Sequence, residues 1–338
     1  MKRLMKSQSF WPIVVLLIIL AVNGIISAGA FFEIRIVENH FYGRIIDIVR
    51  NGSVLMILSI GMTMVLATGG TDISVGSVMA ISGAIACSIV DKRLFPGLNG
   101  SVPLAVLLAV GAGILCGAWN GMLVSKLKLQ PIVSTMILLV AGRGIAQLIT
   151  NGKIVTINSD GYYFINGGYI FGLPFPMFIA AFFLIAFVLF VKRTPFGLYV
   201  ESIGCNPRSS YFAGIGTDRV KWIVYMLSGM MAAVAGLIES SGIKAADSNN
   251  AGLLIELEGI LAVAIGGTSL AGGRFSIPAS VVGALIIQSI TTTVLAMGIS
   301  PQVTRVVKAV IVLVICLFQS EAFKASVMQF SRKAVKQS

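Results

Sequence analysis

Residues 66–79 read LATGGTDISVGSVM. An apolar run stops at Gly69-Gly70, admits the acid Asp72, and then resumes. Inside a bilayer every backbone N–H and C=O needs a partner within its own segment, so spans are helices and a glycine pair marks an end or a break. One reading is a cytoplasmic turn. Gly69-Gly70 closes one helix, and Thr71 or Asp72 caps the next by accepting orphan N–H groups at its N-terminus. The other is a broken helix that lines a translocation path, its polar groups facing a water-filled cavity. The two are compatible, and both require the flanking runs to be membrane spans.

The rest of the chain supports that requirement. Of 338 residues, 57% are apolar and 11% charged, and the mean hydropathy is +0.95. Soluble domains carry roughly 25% charged residues. Apolar runs extend from end to end, so the expected organisation is one integral membrane domain over residues 1–338. The net charge of +12 comes from short basic clusters between those runs. Such clusters mark cytoplasmic loops that meet anionic head groups, so the bilayer is the expected partner and nucleic acid is not. The cysteines Cys87, Cys116, Cys205 and Cys316 form no C-x-x-C pair, and His40 is the only histidine. No metal site or bound cofactor is expected on this chain. Lys2, Arg3 and Lys6 precede an apolar run long enough to span, which favours an uncleaved first helix over a cleaved signal.

The hydropathy pattern predicts an all-α membrane protein with about ten spans, at 11–31, 53–68, 74–90, 102–124, 132–150, 175–191, 222–239, 254–271, 277–297 and 303–319. With both termini cytoplasmic, the inner segments hold Lys2, Arg3, Lys6, Lys126, Lys128, Lys192, Arg193, Arg208, Arg219, Lys221, Arg274, Lys324, Arg332, Lys333 and Lys336. The outer loops hold only Arg35, Arg44, Arg50, Lys92, Arg93, Lys153 and Lys244. That is the asymmetry of the positive-inside rule, and losing one span would move the basic carboxyl tail outside. Three loops are long. Residues 32–52 and 151–174 lie outside, the second in irregular order; residues 192–221 lie inside, with short helices expected at Tyr199–Ile203 and Pro207–Ala213 on either side of Gly204.

Small residues at four-residue spacing, Gly113, Gly117 and Gly121 in one span and Gly76, Ala80 and Ala84 in another, predict close backbone packing. The stretch around Gly69-Gly70-Thr71 has an echo around Gly266-Gly267-Thr268, each an apolar run, a break, then a small-residue helix. Transporters pair interrupted helices in this way around a pathway.

Catalytic signatures are missing: there is no P-loop, no H-E-x-x-H and no G-x-S-x-G. The chain is therefore expected to be a transport subunit without an ATPase site, not an enzyme. Arg143 sits within the fifth span, roughly 10 Å deep. A charge there is costly unless paired or wet. Glu256, Glu258, Arg305 and Lys308 share that outer half, so mutual ion pairing and a polar vestibule are both open. Asp247, Asn249 and Asn250 precede the eighth span; amides and carboxylates suit hydroxyl-rich ligands and equally suit an exposed turn. Few acids lie deep in the spans, which counts against an ion-coupled secondary transporter.

GMTMVLATGGTDISVGSVMAISGA, LQPIVSTMILLVAGRGIAQLIT, TPFGLYVESIGCN and ILAVAIGGTSLAGGRFSIPASVVGALI together resemble the permeases of carbohydrate ABC importers of the ribose and galactose type. The resemblance runs from about residue 50 to 320, and 129–150 and 245–290 look most like the galactofuranose branch. It implies residence in the bacterial inner membrane, a second permease subunit in a homodimer or heterodimer, a cytoplasmic ATP-binding subunit that uses ATP, and a periplasmic sugar-binding protein. It also implies that loop 192–221 docks on the ATPase, with Thr194, Phe196, Gly197, Gly204, Asn206, Gly214 and Ile215 matching the family's pattern. Cys205 stands where Gly is common, and Ser209-Ser210 where Ala-Ala is common. ABC permeases for other small solutes, pentoses or amino acids, are the alternative.

Overall fold

A computed structural model describes residues 10–26, 30–91, 100–300, 303–304, 306–310 and 313. Both expected cytoplasmic termini, Lys92, Arg93, Arg305, Cys316 and much of the expected span 303–319 lie outside the described residues. In chain order the elements are α1 (Phe10–Ile26), a 3-10 turn (Ala30–Phe32), β1 (Arg35–Val37), β2 (His40–Tyr42), α2 (Arg44–Ala67), α3 (Val75–Val90), α4 (Val102–Ser125) and α5 (Pro131–Ile149). Then come β3 (Val155–Thr156), α6 (Asp160–Gly167), β4 (Tyr169–Ile170), β5 (Leu173–Pro174), α7 (Phe175–Arg193), α8 (Phe196–Cys205) and α9 (Pro207–Phe212). Last are α10 (Thr217–Ile243), β6 (Ala245–Ala246), α11 (Ile255–Ile265) and α12 (Ile277–Ala296).

Six of these helices, α2, α4, α5, α7, α10 and α12, are long and apolar enough to cross a bilayer; α1 and α3 are apolar but shorter. The chain is a multi-pass helical membrane protein. Several expected boundaries move. The second span begins at Arg44, not 53, so Arg44 and Arg50 sit on a helix instead of in an outer loop. The first ends at Ile26 rather than 31. The eighth, expected over 254–271, is helical only for the 11 residues of α11, about 16 Å, well short of a hydrocarbon core of about 30 Å. Region 151–174 is also more ordered than its irregular composition implied, since it carries α6 and three short strands.

The all-α expectation is qualified by three two-stranded antiparallel pieces. β1 pairs β2, β4 pairs β5, and β3 pairs β6 with Val155 opposite Ala246. They sit at the end of the bundle where α2 begins and α10 finishes, and Phe41 N–H joins the first two by donating to Gly172 O at 2.8 Å. The loop between α7 and α10 folds as expected into two short helices. Gly204 lies inside α8, however, and Asn206 makes the break.

Helices α2, α3 and α10 form the centre, with α12 and α11 on one flank and α4 on the other. Helix α5 covers α3 with a single stripe, Ser134, Thr135, Leu138, Gly142 and Ala146. The α4–α10 contact shows why glycine recurs. A Cβ on Gly113 would stand 2.5 Å from Gly229 O, one on Gly117 would overlap Tyr225 O, and one on Gly121 would press on Trp222. Trp222 Nε1 donates across the same contact to Ala118 O at 2.9 Å. In lipid, where burying apolar surface separates no helix from solvent, close backbone approach is the source of association. Gly117→Leu should therefore cost about 3 kcal/mol through overpacking. It should reduce the folded protein recovered from membranes several-fold, whereas Gly111→Leu, at a position with no neighbouring atom within 4 Å, should leave the yield unchanged.

Candidate functional site

Two crossings of the bundle are broken. The first break follows α2. Gly69 adopts φ +75°, its N–H donates to Leu66 O at 2.9 Å, and Gly70 N–H donates to Val65 O at 3.1 Å. This is a glycine-terminated helix end that satisfies its own last carbonyls. Residues 68–74 are then non-helical until α3 starts. The polar turn expected here is buried inside the bundle. Asp72 is only 2% exposed. Its Oδ1 accepts from Ser74 N–H at 3.0 Å and Ser74 Oγ at 2.7 Å, and its Oδ2 accepts from Ser228 Oγ at 2.8 Å. Tyr225 Oη donates to Thr71 O at 3.3 Å, Ile73 N–H to Thr135 Oγ1 at 3.3 Å, and Asn120 Nδ2 to Ser74 Oγ at 2.8 Å. Helices α5 and α10 thus lend side chains to a backbone that has left its helix, and α4 reaches the same segment through Ser74 Oγ. Asp72 binds Ser74, the residue before α3, and the inward-facing partner that matters is Ser228, near the middle of α10. Among the described residues no basic side chain pairs with it. Hydrogen bonds to a charged acceptor contribute about 1.5–3 kcal/mol each.

The second break follows α11, and it repeats the first. Gly267 adopts φ +81°, its N–H donates to Ala264 O at 2.9 Å, and Thr268 N–H donates to Val263 O at 3.3 Å. The Gly-Gly-Thr echo is therefore real as a helix end but one residue out of phase. The left-handed residue is the first glycine in 69–71 and the second in 266–268. The two ends also touch. Gly273 N–H donates to Ala67 O at 2.9 Å, and Gly272 lies so close that a Cβ would stand 2.9 Å from Gly69 N. Gly204 of α8 closes the junction: a Cβ there would overlap both Ala67 O and Gly273 N. One loop helix and both breaks meet, backbone on backbone, at glycines.

At the opposite end, residues 247–254 form the non-helical half of the α11 crossing. Lys244, Gly252 and Leu254 all adopt left-handed φ values. The segment reaches the start of α3, where a Cβ on Gly252 would stand 2.9 Å from Gly76 O. Among the described residues the expected mutual ion pairing joins Glu258 to Lys308, whereas Arg143 pairs with no carboxylate. Its Nη1 donates to the backbone oxygens of Ala251 at 2.5 Å, Ser248 at 3.3 Å and Asn249 at 3.5 Å. Glu239, which the sequence reading passed over although it is an acid at the end of an expected span, accepts Gly252 N–H at 3.2 Å on either oxygen. Glu256 is 7% exposed and its Oε2 has no hydrogen-bond partner. Glu258 pairs with Lys308 at 2.7 Å. Asp247 is occupied within its own turn: it accepts Asn249 N–H at 3.1 Å, Asn250 N–H at 3.2 Å and Asn250 Nδ2 at 2.8 Å. Asn249 Oδ1 accepts Gln147 Nε2 at 2.7 Å. The acids expected to be sparse within the spans thus include three, Asp72, Glu239 and Glu256, held inside the bundle.

The loop residues singled out from the sequence have structural parts to play. Thr194 closes α7, its Oγ1 donating to Phe190 O at 2.6 Å and accepting Phe196 N–H at 3.4 Å. Phe196 stacks near Phe190 at 5.1 Å between centroids, and Gly197 is buried where a Cβ would stand 2.6 Å from Val191 O. Asn206 caps α9 by accepting Ser209 N–H at 3.0 Å. Gly214 turns the chain at φ +83°. Asn206 and Ile215 line a groove of about 470 Å³ between α8 and α9, and Leu198, Tyr211 and Phe212 stand exposed beside it.

Residues 44–316 match the family described as branched-chain amino acid transport system / permease component. The chain is 46% identical over 323 residues to the galactofuranose transporter permease protein YtfT of Escherichia coli (strain K12), covering 94% of this chain and 93% of that one. It is 36% identical to the fructose import permease protein FruF of Bifidobacterium longum (94% and 89% covered) and 34% identical to the ribose import permease protein RbsC of Escherichia coli (strain K12), with 94% of each covered.

Asp72→Leu would leave Ser74 N–H and the donating hydroxyls of Ser74 and Ser228 without their acceptor in the bundle, at a cost of about 3–5 kcal/mol. It should abolish accumulation in membranes, measured by immunoblot. Asp72→Asn keeps one oxygen for Ser74 and should retain at least half of the wild-type level.

Proposed function

The chain belongs to the permease-component family of branched-chain amino acid transport systems, and from that membership we propose that it is the permease of an ATP-driven sugar importer, with galactofuranose or a related monosaccharide as its solute. It resides in the bacterial inner membrane as a single permease domain. The chain carries no ATPase site and binds no cofactor; ATP is used by a cytoplasmic partner subunit. A periplasmic sugar-binding protein delivers the solute, and a second permease, identical or different, completes the path. The 46% identity to a galactofuranose permease over nearly the whole chain supports the choice of sugar, and relatives named for fructose and ribose keep it within monosaccharides.

The observation that carries the mechanism is the junction of Gly204, Ala67 O and Gly273 N–H. On this reading the α8–α9 loop is cytoplasmic and docks on the ATPase through the groove at Asn206 and Ile215. Exposed aromatic side chains such as Tyr211 and Phe212 are the residue type enriched at docking surfaces. A displacement of α8 is passed without slack to α2 and to the 266–276 turn, because no side chain separates the three backbones. Gly69, Gly70, Thr71, Asp72, Gly266 and Gly267 then belong to the breaks that open and close the path, Arg143 holds segment 247–254 from α5, and Asp247, Asn249, Asn250, Glu256 and Glu258 stand toward the periplasm. Helices broken at membrane depth are tolerated where protein or a water-lined path supplies the missing partners.

The purified complex of this permease with its ATPase and binding protein should hydrolyse ATP several-fold faster with galactose, whose solutions contain the furanose form, than without sugar. Stimulation by a branched-chain amino acid and none by any monosaccharide would overturn the assignment. Gly204→Ala, whose Cβ must push the Ala67 and Gly273 backbones apart, should lower the yield of assembled complex and also reduce sugar uptake per assembled complex by about tenfold, the equivalent of about 1.4 kcal/mol.

A further inference from the structure

We infer that Arg143 and Glu239 form a two-sided clasp on the re-entrant segment 247–254, and that Glu256 is the carboxylate Arg143 transfers to when that segment opens. The inference rests on the reading of the chain as a transport path, and it concerns the end of the path remote from α8. Segment 247–254 is the plug there. It leaves β6, reaches Gly76 at the start of α3, and turns into α11 through two left-handed residues, Gly252 and Leu254. Left-handed backbone at a bulky side chain such as Leu254 is uncommon and persists only where surroundings hold it.

What holds it is specific. Arg143 on α5 grips three carbonyls of the segment, and Glu239 on α10 grips its Gly252 N–H. Neither charge bonds to the other; each is spent on backbone. Three carboxylates border the segment: Glu239, Asp247, and Glu256, whose Oε2 lies beside Gly252 O against Gly76. Asp247 is already occupied by Asn249 and Asn250, and Glu239 by Gly252. Glu256 alone keeps a buried oxygen without a partner. A buried carboxylate oxygen left empty is costly in the closed arrangement, and a guanidinium freed from its carbonyls gains a two-pronged partner there. The two arrangements exchange one set of Arg143 bonds for another, so the segment can move without stranding the guanidinium.

The test uses the whole importer, this chain with its partner permease, ATPase and binding protein, in sealed vesicles. Passive leak of erythritol without ATP reads the clasp, and galactose moved per ATP hydrolysed reads opening. Glu239→Leu and Arg143→Lys should each raise the leak per assembled complex about fivefold, the equivalent of one hydrogen bond. Glu239→Gln, which keeps an oxygen for Gly252 N–H, should stay within about twofold of wild type. Glu256→Gln should leave the leak unchanged but lower galactose moved per ATP about tenfold, through loss of the ion pair in the open arrangement. Size-exclusion yield separates these effects from misfolding, which lowers assembly without changing leak per complex. An unchanged leak in Glu239→Leu, or wild-type coupling in Glu256→Gln, would overturn the clasp. If wild-type vesicles move no galactose, the sugar assignment fails instead, and the leak comparison still decides the clasp.

Discussion

Backbone that leaves a helix inside a bilayer must find a partner for every N–H and C=O it exposes, and the architecture of this permease is organised around two places where that happens. At residues 68–74 the partners are side chains: Tyr225 for Thr71 O, Thr135 for Ile73 N–H, and the Asp72 carboxylate for Ser74 N–H. At residues 247–254 they are charges, Arg143 for three carbonyls and Glu239 for an amide. A network of hydroxyls around one carboxylate at the first break and a pair of long charged side chains at the second therefore do the same job, and they differ in how readily they let go. A hydroxyl network is short and local, while a guanidinium on a long stem can be handed to another acceptor.

Glycine supplies the other half of the design. The α4–α10 contact, the meeting of Gly76 with Gly252, and the junction of Gly69, Gly204, Gly272 and Gly273 all bring backbone against backbone. The first is a static weld between two long helices. The last joins three elements that belong to different parts of the chain, including the loop proposed to receive the ATPase. Because main chain is stiffer than side chain, such a junction transmits small displacements, whereas a layer of flexible side chains would absorb them.

Much of this was legible in the chain itself. The composition and the spacing of apolar runs identified a multi-pass membrane protein, Gly69-Gly70 and Gly266-Gly267 read as helix breaks, and two short helices were expected after α7, although the break between them falls at Asn206 and not at Gly204. Boundaries were less legible where polar residues extend a helix: Arg44 and Arg50 look like loop but continue α2, since Arg50 finds Asn166 on α6. The shortness of α11 was hidden for the opposite reason, because 253–271 is mostly apolar in spite of Glu256, Glu258, Thr268 and Ser269, and hydropathy cannot register where helix gives way to turn.

What local sequence determined is therefore whatever depends on neighbours along the chain: membrane class, helix ends at glycine, the cap at Asn206, and the kinship with sugar-importer permeases. Only the tertiary structure decided which residues answer one another across it. Asp72 looked like a cap and became the acceptor for Ser228; Arg143 looked like an ion-pair member and took carbonyls; Glu239 drew no notice and holds Gly252. The physical reason is that a charge in a low-dielectric interior is defined by the atoms within hydrogen-bond reach, and those atoms come from helices far apart in sequence.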